Sequence, residues 1–328
     1  MTRIPSKRRS RALAAVLLTL VALAAGPSPA QPAAGPTVLT GTQAAYSLAK
    51  ALTAGTPVEV VNVPADGRQL ALLKDYIERR KEALAPAFKG ATAAITLTNA
   101  LPGDPLYRFA RDANIRIVDV EAAVPWSLDR PGVALAESPR SNVAWGKDTD
   151  VVESATAPYF WLSVSNSIRM ADIIGHDLAA LFPDSATRIA ANLDGLKRSL
   201  VALRNEYHNL LITAGDDTVF ALTGDFVYLT NDLGLYVDGY FVKQDVRWTP
   251  DDLANLTRHL KERDIKVVIH KWLPSEPIQN AVRAGGAKLV VLDAGDPGVV
   301  VDRALAPDGL QQVLKKNLDA VAVALAKP

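Results

Sequence analysis

The chain has 328 residues, 49% of them apolar, with 36 Lys and Arg against 35 Asp and Glu and no cysteine. This profile excludes a disordered or fibrous chain and a disulfide scaffold, and the missing thiols remove Cys nucleophiles, iron–sulfur ligation, thiolate zinc sites and a lipidated N-terminal cysteine. Only His176, His208, His259 and His270 are left for imidazole chemistry. At about 150 residues per domain, the length predicts two domains or lobes.

Residues 1–30 carry five basic side chains and no acid, with an apolar run at 12–25 and small residues up to Ala30. They read as a secretory signal peptide cleaved after Ala30, because the apolar run covers about 21 Å against the roughly 30 Å of a bilayer core. Without it the chain keeps 31 basic and 35 acidic residues, a net charge of −4. That is no footprint for nucleic acid, and no later run reaches 18 apolar residues, so a soluble periplasmic protein is expected.

After a Pro/Gly/Ala spacer at 31–36, β-rich runs at 38–40, 58–63, 93–98 and 115–120 alternate with helical patterns near 42–53, 68–84 and 103–113. A second set of strands, 218–222, 235–242, 266–270 and 288–292, alternates with patterns near 225–233, 250–263 and 276–284. The alternation predicts an α/β fold of two lobes with mainly parallel sheets. The lobes are expected at 37–155 and 212–328, with a cleft segment and interlobe helix at 156–211. That helix is predicted over about 185–210, from Ile189, Leu193, Leu196, Leu200, Leu203, Tyr207 and Leu210 at alternating spacings of four and three after the start signal Pro183-Asp184-Ser185. A helix as connector predicts rocking rather than wide hinge closure. Gly285-Gly286 precedes a strand and reads as a helix C-cap, not a phosphate loop.

The P-loop, the G-x-S-x-G and H-E-x-x-H motifs and the dinucleotide fingerprint are all missing, so an enzyme is not expected. The informative residues stand at predicted strand ends, where ligands of parallel sheets gather: Thr223 and Asp225 after 218–222, His270 and Lys271 after 266–270, and Asp293 after 288–292. Singly, His270 also reads as a strand cap and Asp293 as a turn former.

Pro158-Tyr159-Phe160-Trp161-Leu162 with Asn166, then Phe182-Pro183-Asp184, a long helix with Asn192 and Leu196, Phe226-Val227-Tyr228, and Gly286 leading to Leu292-Asp293 carry a resemblance. The chain resembles the periplasmic solute-binding proteins of zinc and manganese ABC importers, the cluster A-I family, closely from about 155 to 297 and only in topology from 37 to 150. The resemblance implies transport, with a membrane permease as partner, a metal ion as cargo and a monomeric receptor. Against the family's ligand pattern, Tyr159 and Thr223 stand where His is expected, His270 takes a further ligand position, Asp293 is kept in kind, and the first-lobe His is replaced by no nearer candidate than Gln69.

One His, one Asp and a phenol suit zinc poorly, since zinc sites of this type collect several imidazoles. Two readings stay open. Tyr159, His270 and Asp293 form a partial site for a Zn, Mn or Fe ion, the phenolate favouring ferric iron. Alternatively, Tyr159, Trp161 and Trp272 supply apolar faces, and Thr223, Asp225, His270, Lys271 and Asp293 supply polar groups, for a metal complex or small organic solute. A periplasmic metal chaperone outside import, and an enzyme using His270 and Asp293 as an acid–base pair, are the remaining classes. The four residues Tyr159, Thr223, His270 and Asp293 are expected to share one interlobe cavity, with Asp293 beside His270.

Overall fold

Two four-stranded parallel sheets of the same topology organise the chain in the computed structural model, which describes residues 35–151, 155–214 and 217–326. The expected signal peptide and most of the spacer lie outside the described residues. The first lobe runs β1 (Thr37–Thr40), α1 (Gln43–Leu52), β2 (Glu59–Asn62), α2 (Leu70–Arg79), α3 (Lys81–Gly90), β3 (Ala91–Thr96), α4 (Leu106–Ala113) and β4 (Val118–Glu121). Two helices follow, α5 (Val164–Leu181) and α6 (Ala186–Ala214). The second lobe runs β5 (Thr218–Ala221), α7 (Val227–Leu233), β6 (Tyr236–Tyr240), α8 (Pro250–Glu262), β7 (Val267–His270), α9 (Glu276–Ala284) and β8 (Lys288–Val291). A hairpin of β9 (Val300–Val301) and β10 (Ala304–Leu305) leads into α10 (Gly309–Leu325), a helix beyond those expected from the sequence. No helix among the described residues is long and apolar enough to cross a membrane.

The strand orders are β2-β1-β3-β4 and β6-β5-β7-β8. Each order reverses between its first and third strands, and loops splaying apart at such a point open a crevice beyond the strand carboxyl ends. Local chemistry agrees with these elements. Thr42 caps α1 by accepting from Ala45 N, Ser163 caps α5 by accepting from Asn166 N, and Thr249 with Asp252 forms a capping box on α8. At the end of α9, Gly286 has φ +86°, Gly286 N donates to Arg283 O and Ala287 N donates to Val282 O. This is the left-handed C-cap expected of the glycine pair.

The central core joins both lobes. It contains α1, α5, α6 and α10 side chains with the inner faces of the two sheets, and separate clusters lie under α2 to α4 and under α8 and α9. The 29-residue α6 spans about 43 Å without a break. Ile189, Leu193, Leu196, Leu200 and Tyr207 are buried as the sequence spacing predicts, but at the far end Leu211 is buried while Leu210 is 46% exposed. A straight helix drifts about 20° per heptad from a 3.5-residue repeat, so after three heptads the inward direction has moved on by one residue.

The lobes are joined by more than α6. The segment after β4 crosses to the second sheet, where Asn142 pairs with Tyr240 and Ser141 with Val242, before returning to Tyr159. The chain after β8 returns to α1, where Gln43 Nε2 donates to Ala306 O (2.9 Å), Gln43 Oε1 accepts from Val299 N (2.9 Å) and Ser47 Oγ accepts from Leu310 N (3.1 Å). At Gly298, φ +113°, an added Cβ would come within 2.6 Å of Gln43 Oε1, so only glycine allows this approach.

Candidate functional site

The Pro158–Leu162 motif forms an anchor whose edge faces the cleft. Phe160–Leu162 is one turn of 3₁₀ helix, and Trp161 is buried with its Nε1 donating to Ala294 O at 2.9 Å. Asn166 Nδ2 donates to Phe160 O and to Ala134 O, and the Tyr228 hydroxyl donates to Ala157 O. Both residues therefore serve the scaffold. With the turn held from three sides, Tyr159 is fixed at its N-cap position, edge-on to Trp161 at 5.5 Å.

Tyr159, Thr223, Asp225 and Asp296 line one interlobe cavity of about 660 Å³, together with Leu70 and Lys74 of α2. Asp225 is set by a turn in which its N–H donates to Thr223 Oγ1 at 3.3 Å. Gly224 lets Pro139 of the crossing segment lie against this loop, since an added Cβ would stand 3.0 Å from Pro139 Cδ.

Lys271 joins these groups. Its Nζ donates to the Tyr159 hydroxyl at 2.6 Å, pairs with Asp225 Oδ2 at 3.1 Å and lies 4.3 Å from the Tyr159 ring centroid. Burial works against the ammonium, but the Asp225 carboxylate and the Tyr159 hydroxyl outweigh it and hold the amine above its ordinary range. Burial also raises Tyr159, with Lys271 only partly offsetting this, so the phenol stays protonated at neutral pH. Two opposite charges and a phenol thus satisfy one another at the end of β5 and β7.

Lys271, Gln69, Asp293 and Asp296 line a second hollow of about 390 Å³ with Trp272 and Lys316. Gln69 stands at the N-cap position of α2, and in the turn after β2 that leads to it Asn62 accepts from Thr40 Oγ1 and donates to Pro64 O. Asp293 is occupied locally. Its Oδ1 accepts from Gly295 N (2.8 Å), its Oδ2 lies 3.3 Å from Lys316 Nζ, and its backbone is clasped by the Asn317 amide. The single cavity expected from sequence is therefore divided, with Tyr159, Thr223 and Asp225 in the larger part and Asp293 in the smaller.

His270 lines neither hollow. It is 2% exposed, packs its ring against Trp272 at a tilt of 52° with centroids 4.3 Å apart, and lies with Nε2 3.8 Å from Asp245 Oδ1, beyond hydrogen-bond reach. Its Nδ1 has no partner among the described residues. The carboxylate beside it is Asp245 rather than the expected Asp293, because the β6–α8 loop folds over the end of β7 while Asp293 turns toward α10. Burial pushes His270 down to about 4, Asp245 countering only in part, so the ring is neutral at physiological pH.

Asp296 is a cleft-lining residue that the sequence pattern does not single out. Its Oδ1 accepts from Leu70 N at 3.0 Å, and it lines both hollows. Burial raises its carboxyl, with the Leu70 N–H and Lys271 pulling the other way. The available signal was Asp296-Pro297-Gly298, a turn-forming run soon after a strand. Among the described residues no group of three His, Cys, Asp or Glu is placed to hold a metal ion.

Known proteins of the same fold were found among solved structures. A FpvC mutant from Pseudomonas aeruginosa is 21% identical with a TM-score of 0.67, covering 88% of this chain and 98% of that one. FpvC in complex with Mn²⁺ is 20% identical with a TM-score of 0.60, covering 89% and 98%. ZnuA is 19% identical with a TM-score of 0.62, covering 90% of this chain and 100% of that one. No curated protein matches the chain. The family described as "Zinc-uptake complex component A periplasmic" matches residues 38–324. The chain belongs to this family of periplasmic solute-binding receptors of metal-type ABC importers.

Proposed function

We propose that this receptor carries a solute other than a bare divalent cation, namely a metal already held in its own chelator or a small organic molecule, and passes it to an importer permease. The observation that supports this reading most is Lys271, whose ammonium is paired with Tyr159 and Asp225, two of the groups a cation would need. Neutral imidazole would suit a metal, but His270 is sealed behind Trp272 and Asp245, away from both hollows. The adjoining volumes of about 660 and 390 Å³, which share Asp296, suit a ligand larger than an ion.

We read the protein as a monomeric binding protein rather than an enzyme, made with a cleaved signal peptide and acting without nucleic acid. The local hydrogen bonds of Asp293 and the burial of His270 count against their use as an acid–base pair. The structures of the similar protein FpvC in complex with Mn²⁺ and with Ni²⁺ favour a second reading, bare-metal capture with Lys271 displaced.

Native mass spectrometry of protein purified from its own periplasm, paired with calorimetry using Zn²⁺ and Mn²⁺, tests the first reading. It expects a bound mass larger than one ion and weak heats with the metals alone. Nanomolar 1:1 binding of either metal would establish the second.

A further inference from the structure

Two carboxylates, a phenol and a hydroxyl converge on one cavity, yet a lysine side chain sits among them. Asp225, Asp296, Tyr159 and Thr223 all line the larger hollow, and the Lys271 ammonium is within 3.1 Å of Asp225 Oδ2 and 2.6 Å of the Tyr159 oxygen. We infer that Lys271 is the specificity-determining residue of the cleft: its ammonium stands in for a bound cation, and removing that charge converts Asp225, Asp296, Tyr159 and Thr223 into an oxygen-donor site for a hard divalent cation. The inference rests on the reading of the cleft given above and names the group responsible for it.

The charge arrangement carries the argument. With Lys271 present, Asp225 has a neutralising partner 3.1 Å from its Oδ2. An incoming divalent ion would meet a fixed positive charge at contact distance and would have to break the pair. With Lys271 neutralised, Asp225 and Asp296 would repel one another across the same cavity, a repulsion already present between them. A divalent cation relieves that repulsion. Carboxylate, hydroxyl and water oxygens suit Mn²⁺ better than Zn²⁺, which prefers imidazole and thiolate. Mn²⁺ is therefore the discriminating probe.

The experiment titrates MnCl₂ into the mature chain by calorimetry, comparing wild type with Lys271→Met, Lys271→Gln and Lys271→Arg. Both neutral variants are expected to bind one Mn²⁺ per chain on the order of a hundredfold more tightly than wild type, and the arginine variant to behave as wild type. Adding Asp225→Asn to Lys271→Met is expected to abolish the gain. Two neutral variants are used so that one misfolded protein, identified by circular dichroism, does not decide the matter. If both neutral variants fold and bind Mn²⁺ no better than wild type, or if the gain survives Asp225→Asn, the inference is overturned and the proposed ligand class is untouched. Nanomolar Mn²⁺ binding by the wild type would overturn both.

Discussion

The carboxylate of Asp296 caps a helix of the opposite lobe: Asp296 Oδ1 accepts from Leu70 N, the first residue of α2, at 3.0 Å. The residue at the N-cap position itself, Gln69, makes no side-chain capping bond, so the first turn of α2 draws its acceptor from 226 residues away in the chain. This contact ties the two lobes at the mouth of the cleft.

Asp296→Ala should therefore lower stability by about 0.5–2 kcal/mol, the range for loss of an N-cap acceptor. Urea denaturation should show a lower midpoint with an unchanged slope. Asp296→Asn keeps an acceptor oxygen and should lose less. An unshifted midpoint in the alanine variant would mean that water replaces the carboxylate without loss.

His270 should make the protein sensitive to acid. Its folded value is about 4 against 6.5 for the free group, so between those values the unfolded chain binds more protons and stability rises with pH. The contribution is present in full above pH 6.5, is lost as pH falls toward 4, and is on the order of 3 kcal/mol. Asp177 titrates in the same window with the opposite sign, because burial pushes its carboxyl up to about 6. The comparison must be between wild type and variant at each pH. His270→Phe, which sacrifices no hydrogen bond among the described residues, should show a smaller loss of stability between pH 7 and 4.5 than wild type. Equal losses would assign the acid sensitivity elsewhere.

The phase of α6 can be checked with two leucines. Leu200 is 1% exposed in the shared core, so Leu200→Ala should cost about 2–5 kcal/mol. Leu210 is 46% exposed, and Leu210→Ala should stay within about 0.5 kcal/mol of wild type. Similar costs at the two positions would contradict the helix rotation described above.

Much of the architecture was legible in the residues because it rests on local periodicity and capping. Strand runs separated by amphipathic stretches produced the two parallel sheets, the four-three spacing from Ile189 to Tyr207 produced one unbroken helix, and the run from Pro158 to Asn166 carried the family resemblance. Which side chains meet was decided only in three dimensions. Lys271 reaches Tyr159 across 112 residues, and Asp245 takes the place beside His270 that sequence order assigned to Asp293. Asp296, three residues beyond Asp293, faces the cleft while Asp293 closes its own turn. The reason is physical. Periodicity places a residue on an element, but a loop's fold beyond the end of a strand depends on the surfaces it packs against, and in this chain those surfaces come from the other lobe, from α10 and from the segment that crosses over after β4.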